Sequence, residues 1–371
     1  LNNTSYKGAD INVRKAWEKY TAGNPKVIVS VVDTGIDLAH EDLAANCLES
    51  GHINTIDITR PVEAGDHGTH VAGTIAAVSN NGKGVAGIAG GDAQKGLSGV
   101  GIMSCQIFGN YTGEGNSSLA IKWGADHGAV ISQNSWGYSF DFNEDGVLTG
   151  SELEYAKRAT IDNATKEAVD YFIRYAGCDD SGEQLPDSPM KGGVVIFAAG
   201  NDGIDNGAPA NYKPIIAVGA VKRNGRRASF SNYGDWVDIA APGQDIYSTY
   251  PGNRYEYLSG TSMACPHVSG VAALVVSYCG GPGFTNKDLE EKLIMTANRE
   301  ITPASDRIGG LVNAFEAIKY GEKGVPGDVE DLKLAARSNV ISITCTVTED
   351  SDEEANDGSR AIYDTEKYQL D

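Results

Sequence analysis

"KVIVSVVD", residues 26–33, sets the fold. A strand with one wet face alternates apolar and polar residues, whereas this run is apolar almost throughout and so reads as a strand buried on both faces. "GAVISQNSW" (128–136), "GGVVIFAAGN" (192–201) and "PIIAVGAV" (214–221) repeat the pattern. Between the runs stand segments with helical spacing or an apolar face: "HGTHVAGTIAAV" (67–78), "SSLAIKWGADHG" (117–128), "ATKEAVDYFIRYAG" (164–177) and "SMACPHVSGVAALVVSYC" (262–279). Strand and helix in alternation predict an α/β fold of three layers, a mostly parallel sheet flanked by helices. Ligands of such sheets lie beyond the carboxyl ends of the strands, which is where chemistry is sought.

The chain has 371 residues, enough for a large core and a smaller second unit. With 41% hydrophobic and 22% charged residues it has the composition of an ordinary globular protein, and no run approaches the ~18 apolar residues of a membrane span. A formal charge of −20 disfavours nucleic acid as a partner, because there is no excess of Lys and Arg to displace counterions from phosphate. The first residues, "LNNTSYKGAD", carry no apolar signal core. Cys47, Cys105, Cys178, Cys265, Cys279 and Cys345 form no CxxC pair, which argues against zinc. Cys265 and Cys279 cannot bridge if they share a helix, since fourteen residues of rise would separate them by roughly 21 Å. Near residue 320 the composition shifts. "GEKGVPGD" (321–328) reads as a linker, and Ile341, Ile343, Cys345 and Val347 alternate with polar residues as in a half-buried strand, so 329–371 is expected to be a partial all-β module. The acidic run 349–354 reads as a solvated loop.

Polar residues at the ends of these elements are the candidates for chemistry. Asp33 closes the first strand, as a structural cap or as a functional group held rigidly; Asp37 reads as a turn former. His67 and His70 lie three apart on one helical face without the intervening Glu of an HExxH metal site. His67 stands at the helix mouth, and His70, a turn deeper, reads as a core histidine. In "SGTSMACPHVSG" (259–270) a helix starting near Thr261 puts Ser262 at its N-terminus, where free backbone N–H groups favour developing negative charge. Cys265 and His267 fall on nearly opposite faces, so they are no nucleophile and base. A base for Ser262 must come from another segment, and His67 is free for that role with Asp33 to orient it. Ser262 as a helix cap and Cys265 as a small buried hydrophobe remain open.

"VVDTGID" (31–37), "HGTHVAGT" (67–74), "AAGND" (198–202) and "GTSMACPH" (260–267), in that order, resemble the subtilisin-like serine proteases, or subtilases, over roughly residues 10–318. The resemblance implies a subtilisin-like fold over 1–320, with Ser262 as nucleophile, His67 as general base, Asp33 as its orienting partner and Asn201 as the oxyanion-hole amide. Pro266 would free the Ser262 carbonyl by removing a helix N–H. Ser135, Trp136 and Gly137 of "NSWG" match the strand that pairs with the substrate backbone, and Gly113 and Gly115 of "GEG" match the segment opposite. Asp202 would favour a basic substrate residue. Cys265 departs from the family's usual Ser, Thr or Ala and would make activity sensitive to mercurials. Asp42, with Asn80 in "VSNNGKG" (78–84), matches a structural calcium site. The resemblance further implies a secreted protein acting as a monomer on protein or peptide substrates, its inhibitory pro-segment removed. The module at 329–371 resembles the start of a fibronectin type III domain.

An insertion at about 139–160 holds "DFNEDGVLTGSE" (141–152), which fits the calcium-loop pattern D-x-[DN]-x-[DN]-G-x₅-E. Its ligands would be Asp141, Asn143, Asp145, the Val147 carbonyl and Glu152, and an exit helix follows. A non-hydrolytic binding protein on the same scaffold is the competing reading. A dinucleotide-dependent dehydrogenase fails, because no GxGxxG follows the first strand.

Overall fold

The computed structural model describes residue 6, residues 8–109, 114–142 and 148–321, and the backbone of 329–337 and 340–347. In chain order the elements begin α1 (Val13–Lys19), β1 (Ile28–Asp33), β2 (Ile53–Asn54), α2 (Asp66–Ala76), β3 (Gly91–Asp92), β4 (Leu97–Ser98), β5 (Gly101–Gln106) and α3 (Ser117–Asp126). They continue with β6 (Ile131–Asn134), α4 (Gly150–Ala156), α5 (Asn163–Tyr175), β7 (Val194–Ala198), β8 (Ile216–Val221), β9 (Ile239–Pro242), β10 (Ile246–Tyr250) and β11 (Arg254–Leu258). The chain then forms α6 (Thr261–Cys279), α7 (Asn286–Met295), β12 (Gly310–Leu311), α8 (Ala314–Lys319), β13 (Val329–Arg337) and β14 (Val340–Val347).

Eight strands build the central sheet in the order β12-β9-β8-β7-β6-β1-β5-β2, and neighbours pair in parallel throughout. The apolar runs that announced buried strands are its middle members. Alternate side chains serve opposite layers: Val29, Val31, Val194 and Ile196 pack with α2 and α6, while Val32, Val195 and Phe197 pack with α3 and α5. β1 sits between β5 and β6, so the chain builds outward from it on both sides, which opens a crevice at the carboxyl ends. Val32 pairs with Asn134, and Asn134 with Phe197, so β1, β6 and β7 finish nearly level.

α6 corrects one expectation. By length and composition it could cross a membrane, with a mean hydropathy of 1.3, yet 78% of that stretch is buried inside the protein. It is apolar all round because it runs through the core between α2 and the sheet. Cys265 is the fifth residue of α6 and Cys279 its last, and all five cysteines among the described residues are free.

The chain divides into two compact units, Leu1–Ile318 and Lys319–Asp371. In the second, β13 and β14 form an antiparallel pair from Val329↔Val347 to Arg337↔Val340, with an irregularity between Glu330 and Lys333. Residues 322–328 of the expected linker, and 348–371 with the acidic run, lie outside the described residues.

Phe172 of α5 is fully buried against α3 and the sheet. Phe172→Ala is expected to lower the unfolding free energy by about 3–5 kcal/mol, checked by denaturant melts of the purified chain.

Candidate active site

Asp33 is the last residue of β1 and only 2% exposed. Its Oδ1 accepts from Thr34 N at 2.7 Å and from His67 Nδ1 at 2.8 Å; Oδ2 is buried with no protein partner among the described residues. An ionised carboxylate only accepts, so the shared proton sits on Nδ1 and His67 Nε2 is left as the basic atom. The approach of α2 to β1 depends on Gly68, where a Cβ would stand 2.3 Å from Gly35 O and 3.3 Å from Asp33 Cβ. Gly68 N donates to Thr34 Oγ1 at 2.9 Å, which fastens the first turn of α2 to the end of β1. Burial works against the imidazolium of His67, but the Asp33 charge and hydrogen bond outweigh it, so His67 titrates above its ordinary value. Its side chain stays a third exposed.

His70 and His267, the two further histidines on these helices, are held by backbone carbonyls. His70 Nε2 meets Ile246 O at 3.0 Å and Glu256 O at 3.2 Å, and burial pushes its pKa down to about 4. His267 Nδ1 meets Met263 O at 2.8 Å on its own helix and is likewise lowered by burial to about 4.

Ser262 is the second residue of α6. Pro266, four residues on, has no N–H to offer its carbonyl, and Ser135 Oγ takes that place at 2.7 Å. Ser262 Oγ in turn donates to Ser135 O at 3.1 Å, so its hydroxyl rests on the end of β6 rather than on His67. The end of β7 arrives beside it through Thr261: Gly200 N donates to Thr261 Oγ1 at 3.1 Å, and Thr261 N and Oγ1 donate to Asn201 Oδ1 at 2.8 and 3.0 Å. Two donors on Oδ1 fix the amide. Its Nδ2 has no protein partner among the described residues and lies beside Gly260, where even a Cβ would stand 3.5 Å away. Thr261 escaped the sequence reading as a site residue; its signal was its place directly before Ser262.

Ser135, Trp136 and Gly137 continue from β6. Trp136 Nε1 donates to Asn134 Oδ1 at 3.2 Å, and its ring meets Phe197 edge-on at 4.8 Å between centroids, so one face of the indole belongs to the core. Gly115 N donates to Ile107 O at 2.6 Å, which carries the 114–115 segment along the end of β5; Gly113 lies outside the described residues. Asp202 is held by Asn232, donating its N–H to Oδ1 at 2.8 Å and accepting from Nδ2 at 3.3 Å. The Cys265 thiol is fully buried, pushed up to about 12 by burial, and donates to Gln133 Oε1 at 3.1 Å. Expected to be a vulnerable neighbour of Ser262, it is a buried, protonated thiol.

Among the described residues no three His, Cys, Asp or Glu side chains converge as a metal centre. Asp42 and Asn80, expected to share a calcium ion, do not converge in this structure. Both Asp42 oxygens already accept hydrogen bonds, from Asn81 Nδ2 at 2.6 Å and Val85 N at 2.9 Å, and Asn80 turns in a left-handed conformation to Asp92 instead. An amide nitrogen on the carboxylate supplies the donor that a cation would replace. In the 141–152 loop, Asn143, Asp145 and Val147 lie outside the described residues. Glu152 stands at the third position of α4, 8% exposed, and its carboxylate accepts from Phe142 N at 3.0 Å and Thr149 N at 3.4 Å.

Residues 24–315 match the Subtilase family. The chain is 34% identical over 323 residues to thermitase of Thermoactinomyces vulgaris, covering 86% of this chain and 98% of that one. It is 34% identical over 327 residues to the thermophilic serine proteinase of Bacillus sp. (strain AK1), covering 86% and 69%. Among solved structures, proteases from Pseudoalteromonas arctica superpose with a TM-score of 0.63 at 28% identity over 86% of this chain and 96% of theirs. A prenylagaramide maturation protease does so with a TM-score of 0.61 at 27% identity over 84% and 99%. With its fold, its family and its relatives in agreement, the chain belongs to the Subtilase family and is a serine endopeptidase.

Proposed function

We propose that peptide bonds are hydrolysed through an acyl-enzyme on Ser262, with His67 as general base and Asp33 as the carboxylate that holds its tautomer. The observation carrying this reading is the 2.8 Å bond from His67 Nδ1 to the buried Asp33, which leaves Nε2 basic at the carboxyl edge of the sheet. A peptide laid as an added strand along Ser135–Gly137, with Gly113–Gly115 opposite, brings N–H groups to the Ser135 carbonyl. They compete there with the Ser262 hydroxyl, which then turns to His67 Nε2. Oγ adds to the scissile carbonyl carbon as its proton passes to Nε2, and the new oxyanion is received by Asn201 Nδ2 and Ser262 N–H. Collapse breaks the C–N bond, and the proton on Nε2 goes to the leaving amine. Water then repeats the sequence on the ester, giving the acid and free Ser262.

The 141–152 loop is the candidate for a stabilising calcium ion. In support, Glu152 is a buried carboxylate that makes no ion pair among the described residues, and it stands in the first turn of the exit helix. Asp141, Asn143, Asp145 and the Val147 carbonyl would complete the set. The same reading takes the protein to act outside the cell as a monomer, matured by removal of a pro-segment, with 329–371 as the start of a fibronectin type III-like module. In support of the module, β13 and β14 pair antiparallel.

A fluorophosphonate is expected to label Ser262, and Ser262→Ala to abolish casein cleavage; Asn201→Ala lowers kcat by about 10²–10³-fold, a magnitude already established for this donor in subtilisin. Because the base must be neutral, kcat/KM rises with pH through the titration of His67, centred above the ordinary value of about 6.5. Asp33→Asn moves that midpoint down, since the raising charge is gone, and lowers kcat by about 10⁴-fold. Finally, terbium or calcium titration of the full chain shows saturable binding that Glu152→Gln weakens, with the melting temperature of the native chain falling on EDTA treatment. Unchanged binding in that variant removes the loop as the site.

A further inference from the structure

Gln133, the third residue of β6, is fully buried, and none of the steps above uses it. Its Oε1 accepts from Ser269 Oγ at 2.7 Å and from the Cys265 thiol at 3.1 Å, both on the side of α6 that faces the sheet. Two donors on the oxygen set the amide, so Nε2 points the other way and donates to Ser135 Oγ at 2.6 Å. Accepting that hydrogen bond, Ser135 Oγ directs its own proton to Ser262 O at 2.7 Å. Donors therefore run in one direction, from α6 into Gln133, on to Ser135, and back to α6 at Ser262. Each hydroxyl in the relay has one proton to give, so the direction set at Gln133 decides where the Ser135 proton points.

We propose that Gln133 is a positioning residue for the hydrolytic reaction: its amide orients the Ser135 hydroxyl, which pins the Ser262 backbone against the substrate-binding segment. The inference rests on Ser262 being the nucleophile. Pro266 makes the pin necessary, because the Ser262 carbonyl has no helix donor and would otherwise be an unpaired group under the reacting serine. Without it the first turn of α6, which carries both Oγ and the oxyanion-binding N–H, is free to shift, and small displacements of reacting atoms reduce turnover steeply.

The test uses two variants of the full chain. In Gln133→Glu the ionised carboxylate has nothing to donate, so the Ser135 proton turns to it and leaves Ser262 O. The protonated acid donates to Ser135 and restores the relay. Facing this position are the Cys265 thiol of α6, protonated throughout, and beyond it the Asp33 carboxylate of β1 with His67 of α2. Burial and the Asp33 charge both favour the neutral acid. The expected result is a kcat about tenfold below that of the native chain at high pH, with the ratio of variant to native rising as pH falls. Gln133→Met keeps the volume and removes both polar ends; it should lower kcat and the rate of fluorophosphonate labelling together, about tenfold, at all pH values, with KM within about twofold. Thermal melts establish that each variant is folded, and Gln133→Met decides the question if the Glu variant is not. A pH-independent ratio in folded Gln133→Glu, or native kcat in Gln133→Met, overturns the proposal. Retained cleavage by Ser262→Ala would instead overturn the nucleophile assignment beneath it.

Discussion

Parallel pairing is the constraint from which the site follows. When every neighbour in a sheet runs the same way, all carboxyl ends fall on one edge, and residues far apart in sequence become neighbours there without any long loop. Asp33, Ser135 and Asn201 come from the ends of β1, β6 and β7, which the strand register keeps nearly level. The two remaining groups arrive on helices. Both helices begin at that edge, so His67 and Ser262, each the second residue of its helix, lie there.

Close helix contact is the second requirement, and small residues meet it. Gly68 lets α2 touch the end of β1, and at Gly73 a Cβ would meet Thr249 Oγ1 at 2.1 Å. In the space so gained, Thr249 Oγ1 donates to Thr69 O at 2.7 Å and Ser248 Oγ to His70 O at 2.8 Å. The helix bearing His67 is thus held from the sheet on one side and from the β10–β11 hairpin on the other. His67 needs that rigidity, because a bond of 2.8 Å to Asp33 leaves little room for its ring to drift.

Much of this was legible in the residues. The apolar runs identified the inner strands because burial on both faces removes alternation, and helix spacing alone separated Cys265 and His267 from partnership. What was not legible depends on where side chains turn. No pattern in "VSNNGKG" distinguishes Asn80 from Asn81, yet a left-handed backbone at Asn80 sends the one to Asp92 and leaves the other to Asp42. No run was expected to approach the length of a membrane span, although the composition of α6 suits a membrane as well as a core; only the layers around it decide. Gln133 was invisible for a like reason. Within "ISQN" a glutamine reads as an interruption of a buried strand, and the donors to its oxygen lie 132 and 136 residues away.

Three histidines stand close to this edge, and their environments assign them different work. His70 and His267 are enclosed, bonded only to backbone carbonyls, and pushed down to about 4 by burial, so they are neutral near pH 7. His70 ties α2 to the β10–β11 hairpin and His267 bonds back to its own helix, and neither neutral ring moves a proton. His67 differs in two respects, a carboxylate behind it and an open face before it. The carboxylate raises its affinity for a proton, and the open face gives that proton somewhere to come from. Either property alone would be insufficient: a paired but sealed histidine holds a fixed charge, and an open but unpaired one has neither a fixed tautomer nor an orientation.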